Sequence, residues 1–192
     1  MRNALSIILL FFVSAIAQAQ PLSAMQIQKN IRAAQVEAPS FKDIPSTLTN
    51  SPSFTKLWMH PDQMALHARP LLLNPKLSAD DKLVLARALQ NVRWGTLFDL
   101  YSWAFARHAD GQLSSDIVVA LIFPSSDWNT RLELRYQEPA VQKLLLRVQN
   151  SKLPQEQVWL KKYIPDILSG KAAEEINVAR RDGQLLNRNR KD

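Results

Sequence analysis

The sequence predicts a mainly α protein, a compact array of antiparallel helical hairpins in the manner of a bundle or short α-solenoid. Three observations predict it. Only four glycines occur in 192 residues, whereas barrels and sandwiches turn repeatedly on glycine. Pro61, Pro70, Pro75, Pro124, Pro139, Pro154 and Pro165 cut the chain into helix-sized pieces. Between them, apolar residues recur at the three- and four-residue spacing of a helix with one buried face.

Residues 1–19 are expected to lie outside the fold. Arg2 precedes an apolar run, and Ala17, Gln18 and Ala19 fit the small-x-small pattern of signal peptidase, which predicts cleavage near Ala19, before Gln20. The run falls short of the roughly 20 apolar residues a spanning helix needs, and no Cys follows it to carry a lipid. A retained amphipathic anchor is the alternative. The expectation is therefore a periplasmic or secreted protein, not a membrane-spanning one. It has a single helical domain over residues 20–179 and a flexible basic tail over 180–192.

Gln20–Glu37 reads as an amphipathic helix, with Ser23 as N-cap and Ile27, Ile31 and Ala34 on one face. Ala38–Ser53, with Pro39, Pro45 and Pro52 among Ser and Thr, reads as an extended arm over the surface. Ser53–His60 is predicted to form a helical turn or two. His60 then serves as N-cap, with Pro61 at N1, for a helix to Leu73. Ser78 begins the next helix: its hydroxyl accepts the N–H of Asp81, and Asp80 and Asp81 sit at the positive end of the helix dipole. That helix spans Ala79–Val92 and pairs with Trp94–His108 as a hairpin, closed by Gly111 at C′.

Residues 117–136 are ambiguous. The apolar run Ile117–Phe123 leans toward helix, whereas Arg131–Tyr136 alternates with period two and leans toward strand or extended chain, so one extended segment or a β-hairpin across Pro124–Asn129 is the competing arrangement. Glu138–Asn150 is a helix with Pro139 at N1 and Val141, Leu144, Leu145 and Val148 inward. Pro154–Gly170 is another, with Trp159 and Tyr163 one turn apart, and Lys171–Ala179 continues as an amphipathic helix.

The densest aromatic segment is Trp94–His108. On a helical projection Trp94, Leu97, Phe98, Tyr101, Ala104, Phe105 and His108 fall within about 120°, which marks them as core. Trp103 lies opposite that stripe. Either a second layer of helices covers it or it is exposed for a partner. Trp128, in a proline-bounded loop, is a second residue that the core pattern does not absorb. Arg131 and Arg135 follow it closely enough to surround it. Tryptophan and arginine dominate binding hot spots, so Trp103, Trp128, Arg131 and Arg135 are the candidate binding residues.

The residue inventory narrows the chemistry. The absence of cysteine excludes disulfides, thiol catalysis and thiolate metal sites. His60 and His67 stand about 10.5 Å apart along a helix at 1.5 Å per residue, too far to share a zinc on that element alone. His108 suits a helix C-terminus. The sequence has no nucleophile elbow, phosphate loop or dinucleotide fingerprint, and no cofactor or metal is expected. A formal net charge of +7, spread along the chain, favours an anionic partner. Nucleic acid is not expected of an exported chain without a binding motif. The first expectation is thus a non-enzymatic envelope protein that binds another envelope protein or an anionic polymer, of inhibitor, immunity or assembly-accessory type. A carrier of an apolar ligand near Trp94, Phe98 and Tyr101 is the second expectation, and a cell-wall hydrolase using convergent carboxylates the third.

Overall fold

The computed structural model describes residues 21–123 and 131–188. They form eleven α-helices and two short 3-10 turns, with no strand among the described residues. The first helix, α1 (Ala24–Glu37), starts on a capping box. Ser23 Oγ accepts the Gln26 N–H, the Gln26 side chain accepts the Ser23 N–H, and Ile27, Ile31 and Ala34 are buried. Burying each isoleucine stabilises the fold by roughly 1.5–3 kcal/mol. The arm after α1 does more than run over the surface. Its apolar residues Ala38, Phe41 and Leu48 enter the core, the last from a 3-10 turn over Pro45–Asn50.

Helix α2 (Pro52–Trp58) is tied to the end of α1 through one carboxylate. Glu37 accepts the Ser51 hydroxyl, and it also accepts the Ser53 N–H at 3.0 Å and the Ser53 hydroxyl at 2.7 Å. Helix α3 (Pro61–Leu73) follows His60 as N-cap. Helix α4 (Ala79–Ala88) opens on the expected box, with Ser78 Oγ accepting the Asp81 N–H and Asp81 Oδ2 accepting the Ser78 N–H. Asp81 is buried, and its other oxygen accepts Gln35 Nε2 at 2.6 Å, fixing α4 to α1.

A 3-10 turn over Leu89–Asn91 leads to α5 (Trp94–Ala109) and then α6 (Ser115–Ile122). Consecutive though they are, α4 packs mainly on α1 and α6, whereas α5 packs on α6 and α3. Helix α6 explains this arrangement. All six residues Ile117–Ile122 are buried, and a helix that is apolar all round belongs at the centre. Gln90 staples the three together. Its Nε2 donates to the Leu121 carbonyl at 2.8 Å, and its Oε1 accepts the hydroxyl of fully buried Tyr101 at 3.1 Å.

The strand or extended chain expected at Arg131–Tyr136 is not formed. Arg131–Leu134 is one helical turn, α7, followed by turns. Period-two alternation would place Leu132 and Leu134 on one face and Glu133 on the other. Instead Leu132 and Glu133 are buried while Leu134 is 37% exposed. Three apolar residues are too few to hold a register when one helical turn buries a pair and Tyr163 meets the carboxylate.

Helix α8 (Pro139–Gln149) buries Val141, Leu144, Leu145 and Val148 as its spacing predicts. The next segment, expected as one helix, is divided into α9 (Leu153–Glu156) and α10 (Leu160–Leu168), with a break at Gln157. Gly170, at φ +81°, turns the chain into α11 (Lys171–Arg188), which continues beyond the expected end at Ala179. No helix among the described residues is long and apolar enough to cross a membrane.

Candidate functional site

Helices α4 and α6 and the α9–α10 link enclose an open cleft of about 640 Å³. Leu83 and Arg87 come from α4, Asp116, Val119 and Ala120 from α6, and Phe123 from its C-cap. The opposite wall is built by Gln157, Trp159 and Tyr163, and Lys42 reaches in from the arm after α1.

The apolar wall is a mutual aromatic contact. Phe123 meets Trp159 edge-on at 6.1 Å and Tyr163 at 6.3 Å, and Trp159 and Tyr163 lie 5.6 Å apart. Such pairs add about 0.5–1.5 kcal/mol each beyond the area they bury, so the wall is stiff. Trp159 nevertheless keeps 44% of its surface exposed, and Val158 beside it keeps 69%. The break after α9 leaves both residues exposed, with Trp159 at the rim.

The polar groups of the cleft are unevenly satisfied. Asp116 Oδ1 accepts Gln157 Nε2 at 3.0 Å. Lys42 pairs with Asp80 at 2.7 Å. Arg87 is different: its Nε and Nη1 are buried without a hydrogen-bond partner. No ion pair among the described residues includes it. Burial alone lowers its pKa, the sign of a cation removed from water without a compensating charge.

Behind the aromatic wall, the Tyr163 hydroxyl donates to Glu133 Oε1. Glu133 is only 1% exposed, and its Oε2 has no partner. Burial raises its pKa above the ordinary glutamate range, and the Tyr163 hydrogen bond opposes that rise. Tyr163 is pushed up in turn by burial and by Glu133. Glu133 does not line the cleft. It fixes the tyrosine ring that does.

The residues singled out from sequence lie elsewhere. Trp103 is half-buried against the core and covered by Arg69 of α3, whose guanidinium carbon is 5.8 Å from the ring centroid. Arg135 lies over Trp94 at 4.9 Å, and Arg131 Nη1 donates to the Val92 carbonyl at 2.5 Å. The two arginines therefore converge on the start of α5, across that helix from Trp103. Trp128 lies outside the described residues. The buried stripe of α5 is rotated toward Leu100 relative to expectation, leaving Trp94 and Phe98 at its margin.

Among the described residues, no three His, Asp or Glu side chains gather into a metal-binding group. His108 Nδ1 lies 2.9 Å from the Leu113 carbonyl beyond the helix end. A larger basin of about 840 Å³ beside α11 is lined by Tyr136, Gly170, Lys171, Glu174, Arg180 and Arg181 among others. Lys171 there pairs with Asp166 at 3.4 Å, and among the described residues none of the basin's lining side chains holds a buried polar atom without a hydrogen-bond partner.

The sequence did carry a signal for Arg87. It stands in the run Leu83–Leu89 with Val84, Leu85, Ala86 and Ala88, a cation inside an otherwise apolar stretch of helix. Scans against protein-family models, curated proteins and solved structures found no match.

Proposed function

We propose that this chain is an exported, non-enzymatic binding protein that docks another macromolecule of the cell envelope on the rim and interior of the Trp159 cleft. The observation that carries the reading is the pairing of Arg87, two of whose nitrogens are buried without a partner, with an exposed aromatic rim at Trp159. Tryptophan and arginine in a partly desolvated pocket are the side chains from which interface hot spots are built. A basic chain further favours an anionic partner. Among the described residues the lining has no Ser, Thr, Cys or His, and Asp116 is its one carboxylate, which supports binding over acid–base or nucleophilic work. The envelope location rests on the export signal read in residues 1–19.

Photo-crosslinking in intact cells tests this. Trp159→p-benzoylphenylalanine should give a discrete adduct. The same replacement at Met25, 80% exposed on α1, should give none. Equal labelling from both positions, or none from either, refutes the docking surface.

A further inference from the structure

Resting on that reading of the cleft, we infer the chemistry of what enters it: a polypeptide segment that presents a carboxylate beside a bulky apolar side chain. Three features of the lining carry the inference. Arg87 lines the cleft with a charge that no ion pair among the described residues balances, its Nε and Nη1 being buried without a hydrogen-bond partner. A carboxylate is the protein group whose planar pair of oxygens matches a guanidinium. The wall of Phe123, Trp159 and Tyr163 takes an apolar or aromatic side chain.

The third feature selects peptide over a simple amphiphile. Asp116, held by Gln157, places acceptor oxygens on the same lining. A fatty acyl chain brings no donor to these oxygens. A peptide brings backbone N–H groups to Asp116 and the carboxylate to Arg87, so both polar sides of the cleft are met at once. Lys42, already paired with Asp80, holds one margin without competing for the carboxylate.

The test uses the mature protein and four probes, followed by the indole N–H resonance of Trp159 and by tryptophan fluorescence. N-acetylphenylalanine carries a terminal carboxylate. N-acetylaspartylphenylalaninamide carries a side-chain carboxylate. N-acetylphenylalaninamide carries none, and octanoate has a carboxylate without an amide. At least one of the first two should shift Trp159 saturably, with the uncharged amide weaker by about tenfold or more. R87Q should erase that preference. Because R87Q could perturb the fold, R87K and W159A accompany it. R87K keeps the charge but loses the planar fork and should weaken the carboxylate probe severalfold, and W159A, at an exposed position, should weaken all peptide probes together.

Equal binding of the amide and acid probes overturns the inference, as does octanoate binding more tightly than either peptide carboxylate. The two proposals fail separately. Crosslinking at position 159 with no carboxylate preference leaves the docking surface and removes the peptide chemistry. Probe binding without crosslinking leaves the ligand chemistry and removes the macromolecular partner.

Discussion

Gly170 and Gly111 form an internal experiment on backbone strain and close packing. Both have positive φ, +81° and +72°, where an L side chain costs roughly 1 kcal/mol. They differ in what surrounds them. A Cβ at Gly111 meets nothing within 4 Å, whereas one at Gly170 comes within 2.7 Å of Tyr136 Cζ and 2.8 Å of its Cε2 and hydroxyl oxygen. The tyrosine tip rotates more easily than backbone, so displacing it costs about 1–2 kcal/mol rather than unfolding the turn. Both alanine variants also gain about 0.5 kcal/mol from a stiffer unfolded chain, and that gain cancels in the comparison.

G170A should therefore be less stable than G111A by about 1.5 kcal/mol, measured as the shift in urea midpoint at unchanged m-value by far-ultraviolet circular dichroism. The cause is then isolated with Y136A. In that background the difference between the two glycine variants should collapse to within about 0.5 kcal/mol, because the backbone cost alone remains. An undiminished difference would mean that Tyr136 is not what Gly170 accommodates, and the packing of α7 against the start of α11 would have to be redrawn.

Y101F removes the donor to Gln90 Oε1 in the core and should lower stability by about 1–1.5 kcal/mol in the same assay; no loss would mean that the glutamine finds another donor. Glu37 is held below the ordinary glutamate pKa, first by the Ser51 hydroxyl and then by the Ser53 N–H and hydroxyl. Its contribution is present above that ordinary range and is lost as pH falls through the lowered value, so E37Q should flatten the decline in stability below about pH 4. Glu133 has the opposite sign. Its raised pKa, caused first by burial, makes stability fall as pH rises from the ordinary glutamate range through the higher folded value, a slope that E133Q should remove from urea midpoints taken between weakly acid and neutral pH. R87M replaces an unpartnered buried cation with an apolar side chain of similar length. It should leave the urea midpoint unchanged or raise stability by about 1 kcal/mol while abolishing the carboxylate preference of the cleft; a clear loss of stability would point to an internal partner for Arg87.

Caps and spacing made much of the fold legible because they act over three or four residues. Ser23 and Ser78 formed capping boxes, and the four inward residues of α8 were readable from periodicity. What the sequence could not settle depended on distant partners. The alternation at Arg131–Tyr136 gave way to a helical turn because Tyr163, 30 residues away, supplies the bond that lets Glu133 go inside. The pairing of α4 with α6 rather than α5 follows from α6 being buried all round, and a continuous apolar run reads equally as a core helix or a buried strand. The cleft was least visible. Trp159 and Tyr163 read as one more helical pair, because nothing local indicated the break at Gln157 that opens their faces toward Arg87.

The arginines of this protein also separate structural from functional use. Arg69 lies over Trp103, Arg135 lies over Trp94 and pairs with Glu138 at 2.6 Å, and Arg131 donates to the Val92 carbonyl before α5. Trp103 and Trp94 thus each lie beneath an arginine from another element. Arg107, with one buried nitrogen unmet, still pairs with Asp110 at 3.0 Å. Arg87 has no such use. Its position in an apolar helical run would accept methionine or leucine at lower free-energy cost, since an uncompensated cation loses hydration that nothing inside the chain restores. A charge that weakens the isolated fold and lines an open, aromatic-walled cleft makes physical sense if its counter-ion arrives with a partner. On the proposed reading, the recognition chemistry rests on α4, in a helical run that is otherwise apolar from Leu83 to Leu89.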